Sequence, residues 1–245
     1  MASRLNFDCV FEVSRSSGPL LDGGTTGYSK SRTDIEGSDL HADEFLIKTR
    51  DPHAWRTHAR ALRRSADALW NEFSLDLTGM TMEDGDSRRR TPDLDRAMES
   101  LETTKLLYGL ALETALKAWI VEHHPEKIEF RVSVDGGGAA TSAELRTLGV
   151  PTSSGHNILA LAEAVGLFRG EFSDVLKFDS DRSAMRNICR DLSEVVLWRG
   201  RYPIPLASGE RQKLDSGVDR RATAHYIRDW LDPVLDRLLI TDLAM

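Results

Sequence analysis

Glu113 and Lys117 are the only charged residues in Leu106–Val121 (LLYGLALETALKAWIV), a run that is otherwise almost wholly apolar. A spacing of four places both on one side of a helix. An acid and a base buried among apolar side chains cost free energy unless each has a partner. Glu113 therefore has two readings. It lines a site across a helical bundle, where a held carboxylate supports acid–base chemistry, or it belongs to an ion pair that fixes packing and adds little net stability. Lys117 fits the second reading. His156, in Gly155–Leu161 (GHNILAL), can contact a phosphate, or it can start a helix and hydrogen-bond a neighbouring loop. Arg182, Arg186 and Arg190 recur every four residues. They form a basic stripe suited to an RNA backbone, or a solvated helix face.

Other constellations point away from metal and cofactor chemistry. His123-His124 stands beside Pro125 at a helix end, with no Cys or carboxylate cluster at ligand spacing. Gly136–Gly138 lacks the Lys-Ser/Thr continuation of a phosphate loop. Cys9 and Cys189 suit neither a disulfide framework nor a zinc site. The expectation is a reduced, cytoplasmic protein with no metal and no cofactor.

The chain has 245 residues, enough for a real core. It is 40% hydrophobic and 29% charged, ordinary for a soluble globular protein. It shows neither an apolar leader nor 18 consecutive apolar residues, so secretion and membrane spanning are not expected. Its net charge of −7 argues against whole-molecule attraction to nucleic acid. Even so, Arg182–Arg228 holds ten Arg/Lys against five Asp/Glu, a local basic excess.

The elements that must position these residues follow from periodicity. Leu5, Phe7, Cys9, Phe11 and Val13 alternate with mostly polar residues, the pattern of a half-buried strand. Phe130, Val132 and Val134 alternate too, so the two segments are expected to pair as a small ribbon. Residues 14–40 read as loop. Asp51-Pro52 starts a helix whose inner face is Trp55, Ala59, Leu62, Ala66, Leu69, Phe73 and Leu77. Residues 79–90 read as loop. Thr91-Pro92-Asp93 opens a long helix reaching about Glu122, and His123-His124-Pro125 closes it. Residues 135–155 read as loop. A short helix over 156–165 is capped by Gly166. Another covers 182–198, with Met185, Ile188, Leu192, Val195 and Val196 inward, and Arg199–Pro205 breaks it. The last covers 218–240, kinked at Pro233, with Ile227, Leu231, Val234 and Leu238 inward.

Three motifs in this order resemble the HEPN superfamily: Leu110–Trp119 (LALETALKAW), Gly155–Leu161 and Arg201-Tyr202-Pro203. The resemblance covers about residues 50–241. It implies an all-α, HEPN-like four/five-helix bundle over 51–245, with residues 1–50 as an N-terminal arm carrying one short strand or β-ribbon and a flexible loop. Some HEPN proteins are metal-independent RNases whose signature is an Arg, four to six residues, then a His near the start of the last helix. Arg220 and His225 match this spacing, although Arg221 replaces the usual polar residue. Such cleavage needs a base for the 2′-OH and a cation for the phosphate. His225 suits the first role because imidazole titrates near neutral pH, and an arginine can hold two phosphate oxygens. On an ideal helix Arg221 shares a face with His225, whereas Arg220 lies about 140° away. Arg220 acts there if the helix starts after it or a second subunit completes the site.

The resemblance therefore implies an endoribonuclease of toxin or anti-phage defence type, working as a homodimer. Its catalytic residues would be Arg220, His225 and Glu113, with RNA or nucleotide contacts from Arg221, Arg199, Arg201, His156 and Arg186. A silent HEPN module is the alternative, binding a nucleotide, RNA or a partner such as an antitoxin or nucleotidyltransferase. A helical association module, whose N-terminal strand adds to another chain's sheet edge, is the third.

Overall fold

The computed structural model describes residues 41–78, 80–83, 86–89, 92–138, 140–200 and 227–240. Most of them are helical. Helix α1, Ala42–Thr49, carries Asp43 and Glu44 in its first turn and Lys48 in its last, each matched to the helix dipole. It lies within the stretch expected to be an arm. Helix α2, Pro52–Thr78, starts at the expected proline, and Asp51 accepts a hydrogen bond from the His53 backbone N–H at 2.9 Å. Ala59, Ala66 and Phe73 of the expected face are buried.

Residues 79–90, expected as loop, contain a hairpin of β1, Met80–Glu83, and β2, Asp86–Arg89. Helix α3, Leu94–His123, is capped by Asp93, whose carboxylate accepts from the Arg96 N–H at 3.0 Å.

After α3 come β3, Ile128–Val134, β4, Ala140–Leu148, and β5, Val150–Pro151, an antiparallel sheet in that order. Gly138, at φ +84°, supplies the left-handed residue of the β3–β4 turn. The expected loop over 135–155 is thus mostly strand. In β4 the half-buried positions are Ala143, Leu145 and Thr147, alternating with exposed Ser142, Glu144 and Arg146. That period is real, but small and hydroxylated residues carry it. The predicted partner of β3, residues 5–13, lies outside the described residues.

Helix α4, Ile158–Ala164, has Asn157 as its N-cap, and Gly166 follows at φ +74°. Helix α5, Asp179–Glu194, continues as a π-helical turn over Val195–Arg199. A second π-helical turn, Ile227–Leu231, leads into α6, Asp232–Leu239. The helix geometry changes one residue before Asp232-Pro233, because Pro233 has no N–H for an ordinary α-helical bond.

The core is organised around α3, which packs against α2, α4, α5 and α6. Ala111, Leu112, Ala115, Leu116, Ala118 and Ile120 are fully buried on it, as the apolar run requires. The expected inner residues of α5 and its π turn are buried, as are Leu231, Val234 and Leu238. At Gly109 a Cβ would come within 2.6 Å of Val196 Cγ2, so this position sets how closely the helices approach.

Polar groups on α3 meet neighbours from several elements. Lys105 Nζ is 3.4 Å from Asp191 on α5. Tyr108 donates to Asp67 on α2 at 2.6 Å. Glu122 accepts two hydrogen bonds from Arg56 on α2, itself buried and also donating to the Leu238 carbonyl.

The Arg56 hydrogen bonds hold the Glu122 carboxyl below the usual carboxylate range. A lowered folded pKa contributes stability above the unfolded value of about 4.3, and that stability is lost as pH falls through the folded value. Glu122→Ala leaves a buried guanidinium without its counter-charge. It is expected to cost about 1–3 kcal/mol at pH 7 in urea melts, because solvent at the Glu122 end replaces part of the lost pairing. The gap from wild type should narrow as pH falls through the lowered folded pKa of Glu122, where the wild-type carboxyl becomes protonated.

Candidate functional site

The described site is built where the chain enters α4. A 3₁₀ turn over Thr152–Ser154 brings the backbone across α3, with Gly155 N–H donating to Thr152 O at 3.1 Å and Asn157 N–H to Ser154 O at 2.9 Å. Asn157 then caps α4 through the Ala160 N–H. His156, between turn and cap, is thus fixed at both sides. A Cβ at Gly155 would lie in ordinary contact with Lys117 Nζ, at 3.8 Å, so the turn runs beside that side chain.

These constraints produce a bridged carboxylate. Lys117 Nζ donates to Glu113 Oε1 at 2.6 Å, and His156 Nδ1 lies 3.0 Å from Glu113 Oε2. Both carboxylate oxygens are therefore engaged. The Glu113 side chain is 6% exposed, that of Lys117 15% and that of His156 50%. Burial runs from carboxylate to ammonium to imidazole. With Nδ1–H donating to Glu113, Nε2 is left as the basic ring nitrogen. A buried carboxylate that orients a half-exposed imidazole is the base-plus-orienter arrangement of acid–base catalysis. Lys117 balances the carboxylate and adds a cation beside the ring.

The sequence offered Glu113 either a site or a packing role and gave His156 a phosphate or a loop to meet. The structure joins them: the ring meets Glu113 itself, 43 positions away. Arg186 is drawn into local contacts, with NH1 3.1 Å from Glu163 and its guanidinium 4.1 Å over the Phe168 ring. Arg182 pairs with Asp179 and Arg190 donates to Asn187, so the basic stripe is tied along its own surface. Arg199 ends the π-helical turn after α5. Arg201, Arg220, Arg221 and His225 lie outside the described residues. His123 stacks on Trp119 with ring centroids 4.0 Å apart. Among the described residues no group of three or more His, Cys, Asp or Glu could hold a metal ion, and no helix is long and apolar enough to cross a membrane. Cys189 is buried, and burial pushes its thiol up to about 12.

Sequence reasoning missed a second polar centre. Tyr108 donates to Asp67, and Arg228 NH1 lies 3.0 Å from both Asp67 Oδ1 and the Tyr108 hydroxyl. Asp232 sits 3.2 Å from Arg228 and 3.2 Å from Arg63, which also pairs with Asp236 at 2.6 Å. Burial and the hydrogen bond to Asp67 raise the Tyr108 hydroxyl above its ordinary value. An open cleft of about 510 Å³ adjoins this network, lined by Arg60, Arg63, Arg64, Asp67 and Asp236. The Asp67–Arg228 separation of 161 positions gives no spacing to read. Arg63 and Arg228 are matched by carboxylates from α2 and α6, so this centre joins helices.

A thermodynamic cycle separates the roles of Glu113 and Lys117. Glu113→Leu alone strands the ammonium. Lys117→Met alone leaves the carboxylate to His156, and the double variant removes both charges. Glu113→Leu is expected to be more destabilising than the double variant, with a coupling of about 1–3 kcal/mol in urea melts.

No family model, curated protein or solved structure matches this chain, so the site stands on its own geometry.

Proposed function

We propose that the protein is a metal-independent endoribonuclease acting on RNA phosphodiesters. The observation that carries this reading is the Glu113 carboxylate bridging Lys117 and the half-exposed ring of His156. Cleavage without a metal needs a base to take the 2′-OH proton, an acid to protonate the leaving 5′-oxygen, and positive charge near the phosphate. His156 Nε2 supplies the base, and Glu113 holds the ring and stabilises the imidazolium that forms. The attacking O2′ bonds to phosphorus as the P–O5′ bond breaks, giving a 2′,3′-cyclic phosphate and a free 5′-OH. His225 returns a proton to O5′, and Arg220 with Arg221 clamps the phosphate.

The resemblance of LALETALKAW, GHNILAL and the Arg220–His225 spacing to HEPN domains supports the same chemistry from the sequence side. The toxin or anti-phage defence setting, the homodimer, an antitoxin or nucleotidyltransferase partner and the cytoplasmic location rest on the sequence reading alone.

The test is the purified full chain incubated with total RNA in EDTA. Cleavage should persist with chelator and leave cyclic-phosphate ends. His156→Ala and His225→Ala should each lower the rate by about 10²–10⁴-fold. Salt-sensitive RNA binding with no cleavage would favour the silent binding module. Cleavage that both alanine variants retain in full would exclude this catalytic assignment.

A further inference from the structure

Strand β3 lies at the edge of its sheet. Among the described residues it pairs only with β4, which in turn pairs with β5. Its outer side therefore presents backbone N–H and C=O groups with no ladder partner among those residues. Proteins blunt such edges by shortness, proline, bulges, charged side chains or a covering segment. β3 has seven residues, IEFRVSV, and no proline. Both breaks in its register with β4 arise from an extra residue on β4, at Arg146 and Thr141, so β3 itself stays regular.

Its two faces differ. Ile128 and Phe130 are half-buried, with Phe130 covered by the Phe45 ring and the Arg50 guanidinium of the α1 end. Val132 and Val134 continue that face at 42% and 61% exposed. Glu129 and Arg131 are exposed on the other face. Among the described residues Arg131 makes no ion pair, because its cross-strand neighbour Glu144 pairs with Arg146 at 3.1 Å.

We propose that a second copy of this chain pairs with this edge, β3 against β3, antiparallel, with the two-fold axis at Phe130. Charge decides the register. An axis at Glu129 or Arg131 sets each of those residues against itself, and opposed like charges are destabilising. An axis at Val132 sets Glu129 against the partner's Asp135. An axis at Phe130 sets Glu129 against the partner's Arg131, and Arg131 against the partner's Glu129. It also sets Ile128 against the partner's Val132 and the two Phe130 residues against each other. Residues of like parity face one another throughout, as a regular antiparallel ladder requires. A ladder over Ile128–Val132 is short, so this is a small, concentration-dependent interface. It holds whether or not the chain cleaves RNA.

Sedimentation equilibrium and light scattering of the full chain, from about 1 μM to about 1 mM, test it. The mass should rise from monomer towards dimer. Arg131→Glu and Glu129→Arg should each weaken association roughly tenfold, since each replaces two attractive pairs by two repulsive ones. The double swap E129R/R131E should restore wild-type association. A monomer at every concentration, the result if residues 5–13 of the same chain take this edge, a dimer indifferent to the single swaps, or a double swap that fails to restore it would each overturn the pairing.

Discussion

A helical stretch without a solvent face must find partners for its own polar groups inside the protein, and α3 from Thr104 to Val121 is such a stretch. Its Lys105 meets Asp191 on α5, Tyr108 meets Asp67 on α2, Glu113 meets His156 before α4, and Glu122 meets Arg56 on α2. Apolar packing alone would let neighbouring helices slide or rotate by small amounts at little cost. A buried charge does not tolerate that freedom, because removing its counter-charge by an ångström or two exposes the full desolvation penalty. The polar groups on α3 therefore fix the register of the surrounding helices. The functional candidate is one of these constraints, and of the four partners its imidazole is the most exposed.

That difference also separates the two polar centres chemically. Around Tyr108, Arg63 and Arg228 are met by Asp67, Asp232 and Asp236, all from the same body. Around Glu113, a carboxylate 6% exposed grades outward to an imidazole 50% exposed. A substrate can approach the outer ring while the inner carboxylate stays fixed, the division between contact and support that site preorganisation needs.

How much of this was readable in advance depended on the range of the interaction. The α3 core was plain in LLYGLALETALKAWIV because an all-round apolar helix has no other soluble use. The starts at Pro52 and Asp93 and the stop at Gly166 were equally legible, since caps are local chemistry. Strand β4 was hidden because ATSAELRTL carries a period of two on Ala, Leu and Thr, too weak to outweigh its loop-like residues. Hairpin β1–β2 was hidden because MTME alternates over only four residues and its partner DSRR carries no apolar residue. Within the site, the i,i+4 spacing exposed Glu113 and Lys117. The His156 contact depends on the path of the chain through Thr152–Gly155, which no periodicity encodes.

The buried thiol of Cys189 has a practical meaning. With its ionisation pushed up to about 12, almost none is thiolate at neutral pH, and the surrounding side chains leave a reagent no approach. A thiol-directed probe can reach that sulfur only when α5 lifts away from the rest of the body. The rate of its modification is thus a clock for transient opening, and ligands that tighten the helices would slow it.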